Sequence, residues 1–424
     1  MDIVINPQRS QWKALTERNI PDDPQVTQAV EAIIADVRRR GDEALRDMAS
    51  KFDHAVIDGL EVSEAEIDEA CTLVPDNVKE AIRTGAANIR RFHQAQLPDP
   101  VKVETMPGVM CMQRPVPITK VGLYIPGGQA PLFSTVLMLA IPATIAGCKQ
   151  IILCTPQSGG HKISPEILFA ARECGIHKVY RVGGAQAIAA MALGTESIPR
   201  VHKIFGPGNR FVTKAKQMLT SEVAIDMPAG PSEVLVMADD TADARFVASD
   251  MLSQAEHGPD SQAICVCTSE SIAQSVRQQV EKISAQLSRS SSIEKSLSHS
   301  RIIVMDSTDE MIDFVNEYAP EHLIISMANP WEIADRITAA GSIFIGNYSP
   351  ESAGDYASGT NHTLPTNGWA HSFSGVNIDS FMRKITYQEL TRDGLDGLAQ
   401  TIVTMAEAEG LDAHAMAVKI RTDR

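Results

Sequence analysis

Imidazoles, carboxylates and one amide, gathered in four short stretches, are the residues of this chain best suited to chemistry. The first stretch is Ser253-Gln254-Ala255-Glu256-His257-Gly258-Pro259-Asp260. Asp250, Gln254 and His257 fall at i, i+4 and i+7, so they share one face of a helix. Val247, Ala248, Met251, Leu252 and Ala255 form its apolar side. Asp240-Thr241 offers an N-cap and Gly258-Pro259 a stop, giving a helix expected over 241–257. An amide oxygen and an imidazole nitrogen three residues apart could grip one metal ion. Taken alone, a solvated polar stripe is the plainer reading.

In the second stretch, Ala319-Pro320-Glu321-His322-Leu323, a Glu and a His stand side by side where a strand begins. Such a pair can work as acid and base near neutral pH, although a capping Glu beside a hydrogen-bonded His has the same sequence. The third, Gly354 to His362, packs Asp355, His362 and several small polar residues into a loop with no hydrophobic purpose. The fourth lies in the tail. Leu395, Leu398, Ile402 and Met405 form an apolar stripe whose next position is Glu409. A carboxylate there is costly unless it has a partner or ligand; a frayed helix end is the plain alternative. Gly410 ends that helix, and Asp412 can cap the next, which carries His414 on its first turn. Together these groups suffice for one metal ion and an acid/base system. Their types suit zinc, although a Gln ligand is uncommon and spacing does not select the metal.

A chain of 424 residues should form two or more domains around a substantial core. Residues 22–97 read as helices: Val26, Val30, Ile33, Ile34 and Val37 recur at helical spacing up to Gly41, and similar patterns cover 42–52, 63–72 and 76–95. Composition changes at Leu97-Pro98-Asp99-Pro100, beyond which strand, glycine turn and helix alternate, as in an open parallel sheet. Strands are expected at Val121–Ile125, Gln150–Cys154, Lys178–Val182 and Lys203–Phe205, then at Ser232–Met237, Ala263–Thr268, Arg301–Met305, Leu323–Ser326 and Ser342–Ile345. Two α/β units fit this series better than one. From about residue 376 the pattern is read as helical to the end.

Three strand-to-helix junctions are rich in glycine: Tyr124-Ile125-Pro126-Gly127-Gly128, Val182-Gly183-Gly184-Ala185-Gln186 and Phe205-Gly206-Pro207-Gly208-Asn209. Glycine permits positive φ, and a helix N-terminus beyond the turn favours phosphate, so a dinucleotide could bind here. None is a GxGxxG, and ordinary α/β turns explain them equally well. With 38 basic and 53 acidic residues the net charge is −15, which argues against a nucleic-acid or anionic-membrane surface. The start lacks the basic and apolar regions of a signal peptide, and the longest apolar run, Val136 to Cys148, is too short to span a bilayer. Seven cysteines without a CxxC pair fit a reducing compartment. A soluble cytoplasmic protein is expected.

Taken in order, several runs resemble the histidinol dehydrogenase family: Val121–Gly128, Val182–Ala189, Ile204–Asn209, Asp226–Val234, Ser253–Gln262, Pro320–Ile324, Pro350–Asn361 and Glu409–His414. The likeness covers the chain from about residue 26 to its end. It implies a homodimeric enzyme of histidine biosynthesis that oxidises L-histidinol to L-histidine with two NAD⁺ and one zinc ion. Carried over by position, Gln254, His257, Asp355 and His414 are the implied zinc ligands, and Glu321 and His322 the acid/base pair. Ser232, Gln254, His257, His322, Asp355, His362, Glu409 and His414 are the implied substrate contacts, and Tyr124, Gln186 and Asn209 the NAD contacts. The tail is implied to cross to the partner subunit, so that Glu409 and His414 complete the neighbour's site.

The expected architecture is α/β, with two incomplete Rossmann-like, mostly parallel domains, N-terminal helices and a helical tail. An N-terminal segment (1–20) precedes a discontinuous first domain (21–120 plus 233–376); a second domain on the NAD side spans 121–232, and the tail 377–424. In the implied reaction His322 takes the alcohol proton, and Glu321 activates a water that attacks the bound aldehyde. No Cys neighbours the His, Glu and Asp motifs, which favours water over a thiolate. Three rivals stand beside this reading. One is the same scaffold acting on another small amino alcohol or diol, such as a sulfopropanediol. The others are a zinc hydrolase and a non-catalytic metal- or ligand-binding protein.

Overall fold

The computed structural model describes residues 1–18, 23–127, 131–157, 162–228 and 230–423. Gly128, in the first glycine turn, and Ala229 lie outside them. In chain order the strands are β1 (Asp2–Ile5), β2 (Val101–Met106), β3 (Val109–Pro117), β4 (Lys120–Tyr124), β5 (Gln150–Thr155), β6 (Lys178–Arg181), β7 (Lys203–Phe205) and β8 (Ala224–Ile225). They continue as β9 (Glu233–Ala238), β10 (Gln262–Cys267), β11 (Arg301–Val304), β12 (His322–Ser326), β13 (Ser342–Ile345) and β14 (Met382–Leu390). Helices connect most of them, and the fold is α/β as expected.

Two sheets are wholly parallel. One runs β6-β5-β4-β7-β8 and the other β1-β11-β10-β9-β12-β13. Counted from its own first strand, each has the order 3-2-1-4-5, the six-stranded Rossmann order without its last strand; β1 is added to the second at its edge. Strands such as β9 (EVLVMA) and β10 (QAICVC) are buried along their whole length, which is why they read as continuous apolar runs without alternation.

The apolar run taken as too short for a membrane is the helix Phe133–Ala146, buried nearly all round between the five-stranded sheet and the helices Asp76–Gln94 and Pro165–Glu173. Among the described residues no helix is long and apolar enough to cross a membrane. Pro142 inside it has no N–H to give to the carbonyl of Met138. The side-chain amide of Asn361 donates to that carbonyl at 2.6 Å, so a proline in one unit anchors a loop of the other.

Three expectations change. Thr241 does not begin the helix before His257: its N–H and hydroxyl both bind Asp239 Oδ1, and the helix starts at Ala244 with Asp243 as N-cap. The segment 382–390, read as helical, is β14, paired antiparallel with β3 beside β2 in a third sheet; helices resume at Arg392–Ala408 and Asp412–Thr422. Its Ile385-Thr386-Tyr387 core is β-prone, and its hydrogen-bond partner lies some 270 residues earlier, outside any local window. The opening residues, to which no element was assigned, form β1 and the helix Arg9–Thr16, pinned by Trp12 against Phe314.

Candidate active site

Glu321 and His322 stand at the amino end of β12, beside the amino end of β9, and Glu233 is the residue that meets both. Its N–H donates to Glu321 Oε2 at 2.9 Å, and His322 Nδ1 approaches its carbonyl at 3.4 Å. A proton on Nδ1 directed to that carbonyl leaves Nε2 as the basic nitrogen. Nε2 is buried without a hydrogen-bond partner, 3.7 Å from Asp355 Oδ1. Burial lowers the His322 pKa to about 3, which keeps the ring neutral. Burial also pushes the Glu321 carboxyl well above its ordinary value, against the pull of the Glu233 N–H.

The helix Ala244–Ala255 and the short helix Glu351–Tyr356 bring the remaining groups. Gln254 is fully buried, its amide wedged between Glu351 and the Glu233 N–H; the nitrogen toward Glu351 and the oxygen toward the N–H satisfy both neighbours. His257 lies just past the helix end and is exposed. Its ring and the carboxylates of Glu351 and Asp355 offer ligand atoms within 4.8 Å of one another. Burial raises the Asp355 carboxyl to about 7 and the Glu351 carboxyl well above its usual range, and Glu351 Oε2 has no hydrogen-bond partner. An imidazole, two carboxylates and a nearby amide, with His322 Nε2 and Glu351 Oε2 buried without a partner, suit a divalent cation such as zinc.

Glu351 is the residue to which the sequence reading gave no role. It stands one helical turn before Asp355, and that i, i+4 pair of carboxylates was the available signal.

The segment 354–362, with Asp355 in the last turn of its short helix and His362 in the loop beyond, is held by helices packed on the five-stranded sheet. Gly85, in the helix Asp76–Gln94, lets Tyr356 approach so closely that a Cβ there would lie 2.7 Å from its carbonyl oxygen. Asn88 donates to the carbonyl of Ala357 at 2.9 Å. His362 bonds the Asp355 carbonyl through Nδ1 at 3.0 Å and Thr135 Oγ1 through Nε2 at 3.3 Å. Ser232 stands beside Glu233, half-buried. Glu409 and His414 are not brought to this cluster within one chain: both are exposed, on helices that pack against each other and near β14.

The glycine turns lie at the carboxyl ends of β4, β6 and β7. Gly206 has φ +126°, and a Cβ there would fall 2.1 Å from the carbonyl oxygen of Tyr124, so the ends of β4 and β7 can approach this closely only at a glycine. The Tyr124 hydroxyl accepts from the N–H of Gly184 at 3.0 Å, and Gln186 is buried in the helix that follows. Asn209 caps the helix Arg210–Met218, its Oδ1 accepting from the N–H groups of Phe211 and Val212.

Two Rossmann-type sheets, one with glycine turns at its switch point and one with a buried acid/base pair beside a cation-ready cluster, define a two-unit α/β enzyme. The histidinol dehydrogenase family model matches residues 16–422. Histidinol dehydrogenases of Bacteroides fragilis (strain YCH46) and Vibrio vulnificus (strain YJ016) are each 53% identical to this chain. The alignments cover 100% and 98% of it and 99% and 96% of those proteins. The crystal structure of histidinol dehydrogenase from Elizabethkingia anophelis superposes with a TM-score of 0.98 at 51% identity, covering 100% of this chain and 98% of that one. The chain belongs to the histidinol dehydrogenase family: it is an oxidoreductase that oxidises histidinol in histidine biosynthesis.

Proposed function

We propose that the chain catalyses a four-electron oxidation of L-histidinol, through bound L-histidinal, to L-histidine with two NAD⁺. The observation that carries this reading is the neutral, buried His322, with its Nε2 free and a second carboxyl group, Glu321, 3.7 Å from its other ring nitrogen. In the first oxidation His322 Nε2 takes the hydroxyl proton as a hydride leaves for NAD⁺. In the second, Glu321 takes a proton from water as it adds to the aldehyde, and the hydrate gives a hydride to a second NAD⁺. No cysteine is among the residues described around the pair, in keeping with water as the nucleophile.

Gln254, His257 and Asp355 would hold one zinc ion with the partner subunit's His414, and Glu351 stands close enough to bind or orient that set. When bound, the ion would supply positive charge that orients the substrate's imidazole and amine. Ser232, His362 and the partner subunit's Glu409 would hold the rest of the substrate. Tyr124, Gln186 and Asn209 would receive NAD at the helix N-termini of the five-stranded sheet. A homodimer is supported by the exposed apolar side chains of the third sheet and the tail, among them Val101, Met106, Tyr387, Met405, Met416 and Ile420. A cytoplasmic location belongs to the same reading.

The test is to supply zinc-loaded protein with limiting L-histidinol and excess NAD⁺ and count NADH per substrate consumed. Two NADH, with histidine as product, are expected. One would end the reaction at the aldehyde and remove the role given to Glu321; none would favour a different alcohol substrate.

A further inference from the structure

The opening arm of the chain carries no motif, yet its last described residue reaches the acid/base pair through one intermediary. Arg18 follows the helix Arg9–Thr16. Its Nε and Nη2 donate to the two carboxylate oxygens of Glu233 at 2.6 and 2.9 Å, and Nη2 also donates to the Tyr318 carbonyl at 2.6 Å. The guanidinium lies 4.0 Å from the centre of the Tyr318 ring. The Glu233 carboxylate also accepts from the N–H of Asn367 at 3.1 Å. Both charged side chains are withdrawn from solvent, with relative exposures of 14% for Arg18 and 2% for Glu233. A planar fork on both oxygens allows the carboxylate one orientation.

The peptide groups of that same Glu233 touch both members of the acid/base pair: its N–H holds Glu321, and its carbonyl receives His322 Nδ1. We propose that Arg18 is a positioning residue which, by clamping Glu233, sets the aim of the Glu321 carboxyl and the tautomer of His322. Its reach is long in sequence and short in space. The arm is itself fixed, by β1 against β11 and by Trp12 against Phe314. A neutral side chain at position 18 leaves a buried carboxylate without its cation, and the Glu233 backbone then shifts to find other donors.

The inference rests on the acid/base roles proposed for Glu321 and His322, so the experiment runs Arg18→Met and Arg18→Lys beside Glu321→Gln and His322→Asn. kcat and KM for L-histidinol are measured well below the unfolding temperature and expressed per folded molecule. Arg18→Met is expected to lower kcat by about 10- to 100-fold, as removal of a group that orients a reacting residue commonly does, with KM changed by less than about threefold. Arg18→Lys keeps the charge without the fork and should recover part of that loss. If Arg18→Met does not fold, a reduced kcat at unchanged KM in Arg18→Lys supports the proposal. Wild-type kcat per folded molecule in the folded Arg18 variants, with thermal stability alone reduced, would overturn it. Full activity in Glu321→Gln and His322→Asn would instead overturn the acid/base reading beneath it.

Discussion

The five-stranded and six-stranded sheets share one strand order and use opposite ends. In the first, the glycine turns after β4, β6 and β7 lie at the carboxyl ends of the strands, where a doubly wound sheet opens its crevice. In the second, Glu233, Glu321 and His322 cluster at the amino ends of β9 and β12. The ends also differ in composition. The first is made of backbone and small residues, suited to phosphate; the second of titratable side chains, each held by a backbone group or by another side chain. Strand order therefore does not dictate where the chemistry sits. It provides two rigid frames, and loops from one frame, such as that from Gly354 to His362, are fastened to the other by Asn361, Thr135 and Asn88.

The largest effect expected from separating these two ends is in Glu321→Gln. The second oxidation should fall by about a hundred- to ten-thousandfold while the first stays within about tenfold, read by single-turnover NADH formation from histidinol and from histidinal. Equal losses in both half-reactions would break the division of labour between Glu321 and His322.

In the five-stranded unit, the buried pair Lys216–Asp226 holds the third glycine turn: Lys216 also donates to the Gly206 carbonyl at 3.0 Å, and Asp226 accepts from the Gly206 N–H at 2.8 Å. Lys216→Met leaves Asp226 buried and unpaired and should cost about 3–5 kcal/mol, seen as a lower urea midpoint. Zinc content of the folded variant should be unchanged, and loss of zinc would mean that the two ends are coupled.

Asp355→Asn and Glu351→Gln sharpen the metal assignment, since both carboxylates lie in the cation-ready cluster. Asp355→Asn should abolish stoichiometric zinc, whereas Glu351→Gln should weaken it by about 10- to 100-fold, as for a residue that orients a ligand. A chelator competition that gave the opposite ranking would make Glu351 the ligand.

The smallest effect lies at a partly exposed ion pair, where Arg181 at the end of β6 meets Glu66. Burial raises the Glu66 carboxyl, but the Ser63 N–H and the Arg181 guanidinium outweigh it and hold the group at about 2, below its ordinary 4.5. Because the folded value is the lower one, the stabilisation is complete above about pH 4.5 and fades as pH falls toward 2. Glu66→Gln should flatten that acid limb by less than about 1 kcal/mol in thermal melts between pH 2 and 6, the pair being partly exposed.

The parallel strands, the glycine turns and the helices from Val26 to Gln94 follow from periodicity and from glycine and proline placement, which act over a few residues. Misreadings arose where a partner far along the chain decides the outcome. Residues 382–390 become a strand because β3 offers an unpaired edge. Glu351 gains its place because Gln254, His257 and His322 converge on it from two other elements. Arg18 showed no signal because its importance lies wholly in reaching Glu233, 215 residues away.

By itself the sequence determined the α/β class, the glycine at position 206 and the types of the groups near the site, since backbone geometry and side-chain chemistry belong to each residue. Only the tertiary structure decided which nitrogen of His322 is free, how far burial moves Glu321 and His322 from their ordinary pKa values, and which carboxylates face one another. Those properties depend on desolvation and on hydrogen bonds between distant segments, which exist only once the two sheets have packed.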